Sequence, residues 1–371
     1  MPPKRIKILQ IIPTLDRCGA EKQMVLLASN LPKDEFEVEV VALTRTGPYA
    51  ADLEQANIPL IVIGKKFKLD PFACFRLKNA VRKFKPDIVH SWLFAANAYG
   101  RQAAIACGVP HVIAAERCVD PWKGAYHFFI DKYYAKKTDF IATNSEGVKD
   151  FYVKHGLPGE KFVVIPNAVE AKWTRDKRTI INHQFPALFS IGIVARLWKQ
   201  KRIDDLLWVF QTLDFMEIKF QAFIIGDGPE RDFLLRLRDN WNLSHCVHFL
   251  GARNDVNQLM PQFDVLLNSS AYEGQSNSIL EAMALGIPVI ATDIPGNTDL
   301  VVDGGTGFLV PDGGDFRLRR RMFVAKIIEF MENPGLRQTM GEKSQRRIAE
   351  EFTLEKMVER YAALYRRTIV C

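Results

Sequence analysis

The sequence predicts an α/β protein made of two doubly wound parallel-sheet domains and a helical tail. Three observations lead there. Short apolar strand-like runs alternate with helix-like runs along most of the chain. That rhythm breaks once, over the polar and irregular residues 168–186, and then restarts. The final segment from Leu354 to Arg367 carries Met357, Val358, Tyr361, Leu364 and Tyr365 at helical spacing. A chain of 371 residues fits two domains at about 100–200 residues each. The boundaries read from the sequence are 1–170, 171–350 and 351–371.

In the first half, residues 6–12 form a short apolar strand, and 20–31 an amphipathic helix stopped by Pro32. Residues 38–43 and 60–63 are β-branched-rich strands. Residues 75–84 place Leu77 and Val81 on one helical face, with Lys and Arg on the other. Strands follow at 88–90, 112–115, 140–143 and 162–165, with a small-residue helix at 95–107 ended by Gly108. In the second half, strands are expected at 188–194, 220–225, 247–250, 265–268, 288–291 and 307–310. Helices are expected at 203–213, 230–238, 277–285 and 320–332. In such sheets ligands bind at the carboxyl ends of the strands, so two facing domains would share a cleft.

Composition is that of a soluble globular chain, 48% hydrophobic and 25% charged. The net charge of +7 is uneven: 24 Lys and Arg face 18 Asp and Glu in residues 1–170, against 26 and 25 in 171–371. The basic first half suits an anionic partner, or is a solvated basic face. Six cysteines form no CxxC pair, which argues against a zinc site or a disulfide framework. The apolar run after Met1 is too short for a signal-peptide core, and no run approaches the roughly 18 residues of a membrane span. The expectation is a cytoplasmic protein, at most peripheral on a membrane. Phe67, Trp92, Phe94, Trp122, Phe128 and Phe129 are candidate aromatics for such a contact, or core residues. The charge cluster at 317–321 reads as a solvated helix face.

Three clusters carry candidate chemistry. The first runs from Asn268 to Thr292: an apolar strand, a polar loop with Glu273 and Gly274, Ser276 as a helix N-cap, then a helix to Gly286. The amides of Asn277, Ser278 and Ile279 would make an anion site at the helix start. Glu273 would reach a sugar hydroxyl. Glu281, one turn in, would accept from vicinal hydroxyls or else face solvent. The second cluster holds Arg196 and Lys201, two cations after the first strand of the second domain that suit a diphosphate or are surface charges. The third is Thr14-Leu-Asp-Arg-Cys-Gly19-Ala-Glu21, where Gly19 would let backbone approach a phosphate. Neither it nor the Gly226-Asp-Gly228 turn completes a dinucleotide fingerprint, which weighs against a nicotinamide oxidoreductase.

Together these motifs closely resemble the retaining nucleotide-sugar glycosyltransferases of family 4. The resemblance rests on Glu273 and Glu281, the run from Glu281 to Thr292, Arg196 with Lys201, Ile225-Gly-Asp-Gly-Pro229 and Asp303-Gly-Gly-Thr-Gly-Phe-Leu-Val310. In the first half it rests on Cys18-Gly-Ala-Glu21, Pro86-Asp-Ile-Val-His90, Asn144-Ser145 and Val164-Ile-Pro-Asn167. The family implies a GT-B fold of two Rossmann-like domains, with a C-terminal helix crossing back to the first. It implies that Gly19, Arg196 and Lys201 meet the donor diphosphate and that Glu273 contacts the transferred sugar. The backbone at Gln275, Ser276, Asn277 and Ser278 would cradle sugar and phosphate, Glu281 would hold the ribose, and backbone near Arg253 would meet the base.

Five positions depart from the family pattern: Cys18, Ala168, Pro295, Asp299, and Arg117 where many members carry a histidine near the sugar. Arg117 would supply a charge but no base, and His90 on a neighbouring strand end is a second acceptor-side candidate. No Asp-x-Asp motif occurs, so no metal and no cofactor is expected. The expected partners are a nucleotide-sugar donor, a saccharide or lipid-linked acceptor and an anionic membrane surface, with no nucleic acid. A non-catalytic nucleotide-sugar-binding protein and a nucleotide-sugar epimerase remain the alternatives.

Overall fold

The computed structural model describes residues 5–170 and 188–370, so most of the irregular segment expected at 168–186 lies outside the described residues. The chain divides into two units. One comprises the residues up to Ala168 together with the tail from Leu354; the other is Val169–Thr353.

The first unit runs β1 (Ile6–Ile12), α1 (Gly19–Asn30), β2 (Phe36–Ala42), α2 (Ala50–Gln55), β3 (Leu60–Val62), α3 (Pro71–Phe84), β4 (Ile88–Trp92), α4 (Leu93–Cys107), β5 (His111–Glu116), α5 (Ala125–Ala135), β6 (Phe140–Thr143), α6 (Glu146–Lys154) and β7 (Phe162–Val164). Its seven strands are parallel in the order β3-β2-β1-β4-β5-β6-β7. Helices cover both faces, which is why β4 is buried along its whole length and β1 from Ile8 onward, polar His90, Ser91 and Gln10 included. Local chemistry sets the helix ends. Asp70 accepts from the Ala73 amide at 2.9 Å with Pro71 in the first turn of α3, and Ser145 accepts from the Val148 amide at 3.1 Å to open α6.

The second unit runs β8 (Phe189–Val194), α7 (Ile203–Phe215), β9 (Phe220–Ile225), α8 (Arg231–Asn240), β10 (Val247–Gly251), α9 (Val256–Leu259), β11 (Val265–Asn268), α10 (Asn277–Ala284), β12 (Val289–Asp293), β13 (Gly307–Pro311), α11 (Phe316–Glu332) and α12 (Pro334–Glu351). Its six strands are parallel in the order β10-β9-β8-β11-β12-β13.

The tail helix α13 (Leu354–Val370) buries Met357, Tyr361, Leu364 and Tyr365 in the core of the first unit. Buried polar contacts fix its register. Gln10 Nε2 donates to Tyr365 Oη at 2.9 Å, Trp92 Nε1 donates to Gln10 Oε1 at 2.7 Å, and Tyr365 Oη meets His90 Nδ1 at 2.8 Å. Arg117 donates to Tyr361 Oη at 3.0 Å and to Asn167 Oδ1, with its guanidinium 5.0 Å from the Trp92 ring centre.

A second buried network ties β5, α4 and α5. Lys123 Nζ lies 3.3 Å from Glu116, 3.1 Å from Asp131 and 2.8 Å from Tyr152 Oη, while Arg101 pairs with Asp131 at 2.6 Å. Burial pushes the Glu116 carboxyl up, and the nearby Lys123 ammonium opposes that shift.

Two expectations need correction. The arginine cluster at 317–321 is only partly a solvated face. Arg319 is buried against Asp205 at 2.6 Å and Asp312 at 2.9 Å, and Arg320 pairs with Asp205 at 2.7 Å, because Asp205 at the start of α7 and Asp312 after β13 need counter-charges. The strong helical periods were legible, but α2, α5, α6, α9 and α12 were not. α2 and α9 are short, α5 exposes aromatics that blur its period, and α12 is polar with two glycines.

Burial and the neighbouring Arg117 hold the His90 pKa down to about 3. The unfolded ring takes its proton near 6.5, so the unfolded state binds the extra proton between about pH 6.5 and 3. Stability present above that window is lost as pH falls through it, at about 1.4 kcal/mol per pH unit. Melting curves over this range should fall more steeply for the wild type than for His90→Gln; parallel curves would refute it. Lys123→Met would leave Glu116 and Asp131 buried without their shared cation, and should cost about 3–5 kcal/mol in denaturant unfolding. A loss under about 1 kcal/mol would show the network to be dispensable.

Candidate active site

In the second unit the strand order reverses between β8 and β11, so the loops leaving these neighbours diverge and open a crevice at their carboxyl ends. The β8 loop carries Arg196 and Lys201, and the β11 loop carries Glu273. Hydrogen bonds stitch the two together: the Ala271 amide donates to the Gln200 carbonyl at 2.8 Å, and Gln200 side-chain Nε2 donates to the Tyr272 carbonyl at 2.7 Å. Ser269 Oγ donates to the Lys201 carbonyl at 2.7 Å. The result is an ion pair between Lys201 Nζ and Glu273 Oε1, with side chains 15% and 9% exposed. Ser270 Oγ donates to the same carboxylate oxygen at 2.7 Å. A pair so little solvated is weakly screened and fixed in orientation.

The glycines of the 226–229 turn brace this loop from β9. The Leu197 amide donates to the Asp227 carbonyl at 2.9 Å. A Cβ on Gly226 would lie 1.8 Å from the Ala195 carbonyl oxygen, and one on Gly228 2.5 Å from that of Leu197. The motif is therefore a packing device for the turn that bears Arg196. Arg196 itself is exposed, its guanidinium 5.3 Å from the Trp198 ring centre.

Helix α10 begins where expected, with Ser276 in extended conformation, but that serine does not cap through its side chain. Its Oγ accepts from Asn268 Nδ2 at 3.2 Å and pairs with Ser278 Oγ at 3.1 Å. The Ser276 side chain is thus engaged away from the helix, and the positive end of α10 lies at the carboxyl edge of the sheet, beside the crevice. Gln275 and Ser276 are buried, and Glu281 turns inward and is buried instead of facing solvent. Gly296, at φ +90°, packs so closely that a Cβ would sit 2.3 Å from the Gly274 carbonyl oxygen. Thr292 Oγ1 donates to the Ser270 carbonyl at 2.6 Å, and Asn297 Nδ2 donates to the Thr292 carbonyl at 3.0 Å. Ser270, Asn268, Thr292 and Asn297 were missed as loop supports. The first three lie inside the 268–292 run, and their small polar character beside a strand end was the available signal.

Other candidates lie elsewhere. Arg253 follows β10 and is exposed, its guanidinium bound by Asp255 at 2.7 and 2.6 Å. Gly19, His90 and Arg117 belong to the first unit. Gly19 opens α1 after β1, at that sheet's own point of reversal between β1 and β4. His90 is fully buried among Trp92, Tyr361 and Tyr365, and Arg117 is buried and held by Tyr361 and Asn167. Both thus contribute to seating α13. Among the described residues, one group of three potential metal ligands occurs, Asp214, His245 and Cys246. It lies near the end of α7 and the start of β10, at the edge opposite Glu273.

A model described as glycosyltransferase family 4 matches residues 18–173, and one described as glycosyl transferases group 1 matches residues 179–347. The chain belongs to glycosyltransferase family 4. The enzyme is 26% identical to the UDP-Gal:alpha-D-GlcNAc-diphosphoundecaprenol alpha-1,3-galactosyltransferase of Escherichia coli, with 97% of each chain covered. It is 30% identical over 172 residues to the N-acetyl-alpha-D-glucosaminyl L-malate synthase of Bacillus anthracis, a match spanning 46% of this chain and 44% of that relative. Among solved structures, Anabaena HepE in complex with UDP-glucose superposes with a TM-score of 0.83 at 21% identity, covering 97% of this chain and 99% of that one. That likeness shows the GT-B fold of the glycosyltransferase, two parallel-sheet Rossmann-like units with a helical C-terminus.

Gly228→Ala should displace the Leu197 carbonyl and with it the turn from Arg196 to Lys201. The expected result is a melting temperature several degrees lower, corresponding to about 1–3 kcal/mol. Unchanged melting would show that the turn has slack.

Proposed function

We propose that this glycosyltransferase moves a hexose from a UDP-linked donor to a saccharide or lipid-linked acceptor in cell-envelope polysaccharide or glycolipid synthesis. It does so with retention at the anomeric carbon and without a metal ion. The observation that carries the reading is the largely desolvated Lys201–Glu273 pair beside the start of α10. A diphosphate brings concentrated negative charge, and Arg196, Lys201 and the α10 amides supply fixed positive charge and donors for it. The carboxylate of Glu273 can accept from hydroxyls of the transferred sugar while Lys201 and Ser270 hold it in place. Glu281, turned inward, is suited to the ribose hydroxyls, and backbone near Arg253 to the base. The UDP-sugar and undecaprenol-linked chemistry in the names of the relatives supports this choice of donor and acceptor.

In the proposed step the acceptor oxygen bonds to the anomeric carbon on the face from which the phosphate departs. The bond to the phosphate oxygen breaks, and that oxygen takes the acceptor proton. Positive groups aimed at the leaving diphosphate stabilise its developing charge. The chain contains no Asp-x-Asp motif, which supports the metal-independent version. The lipid-linked acceptor in the name of the Escherichia coli relative supports work at the cytoplasmic face of a membrane; no helix among the described residues is long and apolar enough to cross one.

The test is a thermal-shift screen of nucleoside diphosphates and their sugars on wild type and Glu281→Ala. A uridine-specific shift, worth about 2.7 kcal/mol at a hundredfold excess over Kd and lost in the variant, is expected. A shift with no nucleotide would overturn the donor reading. Turnover abolished by chelator and restored by magnesium would overturn metal independence, and an inverted anomeric signal by NMR would overturn retention.

A further inference from the structure

The exposed surface of the first unit breaks the usual rule for a surface helix, whose outer face is polar. Helix α5 buries Phe128, Asp131 and Ala135. Its outward stripe is aromatic: Tyr126, Phe129 and Tyr133, spaced three and four residues apart, are 63, 68 and 55% exposed, and Trp122 in the turn before the helix is 55% exposed. Lys132, Lys136 and Lys137 are exposed beside them. A second such surface leads into α3, where Phe67, Leu69, Phe72 and Phe75 are 62–81% exposed, with Lys66, Lys68 and Arg76 exposed between them.

The two surfaces flank α4 on one side of the sheet. From α4, Tyr99 Oη donates to the Lys68 carbonyl and accepts from the Asp70 amide, both at 2.8 Å. Two residues on, Arg101 pairs with Asp131 of α5 and lies 5.3 Å from the Tyr134 ring centre. Of the aromatics the sequence offered for a membrane contact, Trp92 and Phe128 are buried core residues. Phe67, Trp122 and Phe129 are exposed on these two surfaces.

We propose that this face, α5 together with the approach to α3, docks the enzyme on an anionic lipid bilayer. The proposal rests on the reading of a membrane-linked acceptor and names the surface that would bring the enzyme to it. Charge selects the occupant. Within residues 65–85 the one acid is Asp70, and within 121–138 it is Asp131; both are buried. Every exposed charge on these stretches is therefore positive, next to the polar-tipped rings of Trp122, Tyr126 and Tyr133, which suit the headgroup boundary, and to apolar Phe67, Leu69, Phe72, Phe75 and Phe129, which suit the acyl region below it. The stripe is also held rigid. Trp122 packs edge-on to Phe94 and His127 with centroids 5.9 and 5.1 Å away, and Lys123 anchors the turn before α5 through Glu116 and Asp131. Little ordering remains for docking to impose.

The test is co-sedimentation of the full chain with phosphatidylcholine vesicles, with and without phosphatidylglycerol, in the absence of donor and acceptor. Binding is expected to the anionic vesicles, about tenfold or more weaker to the neutral ones and weakened by salt. The triple variant Tyr126→Ser, Phe129→Ser, Tyr133→Ser and the double variant Phe72→Ser, Phe75→Ser should each lower it about tenfold or more. These side chains are exposed, so the nucleotide thermal shift measured on the same variants reports folding and donor binding separately. No binding to anionic vesicles, equal binding to neutral ones, or binding unchanged in both variants overturns the proposal. A concentration-dependent dimer in lipid-free buffer, dissolved by the same substitutions, would also overturn it by giving the face to a second copy of the chain.

Discussion

The second unit is organised by one constraint, the reversal of strand order between β8 and β11. Parallel strands deliver their carboxyl ends to one edge, and the reversal makes the two following loops part company there. The hydrogen bonds of Gln200, Ala271 and Ser269 then close that gap just enough to bring Lys201 against Glu273. Nearby specialisations follow from holding these loops still. The glycines at 226 and 228 admit the Arg196 turn, Gly296 admits the Gly274 backbone, and Arg319 with Arg320 neutralises Asp205 at the start of α7. Their contributions are therefore not independent, and removing one alters the setting of the others.

The first unit solves a different problem with similar means. Its interior holds a polar seam, Gln10, His90, Trp92 and Arg117, against α13, and an ionic cluster around Lys123. Such buried polar groups add little net stability compared with apolar packing, but they are costly to mispair. They fix which tyrosine of α13 meets which strand and how the turn before α5 is held.

The fold class was legible because strands buried on both faces read as apolar runs and because the tail kept a clear helical period. The site was legible in part. Glu273, Glu281, Arg196 and Lys201 fall at strand ends or one helical turn in, where spacing predicts placement. That Glu281 turns inward and that Lys201 reaches Glu273 depended on loop conformation across 72 residues of sequence separation, which no local pattern encodes. His90 and Arg117 show the converse. Their positions at strand ends suggested acceptor-side roles, and no local pattern showed that α13, arriving from far along the chain, packs over both. Helix α5 escaped notice because its exposed aromatics erase the contrast between inner and outer faces on which periodicity depends.

The placement of α13 has a consequence for biosynthesis. The second unit is contiguous, so it has all its residues once position 353 has been made. The first unit is not: its core lacks Met357, Tyr361 and Tyr365 until α13 has been made. The half of the enzyme that is translated first is thus completed last. Until then the nascent chain presents an open apolar wall along β1, β2 and β4, to be guarded by chaperones or by speed.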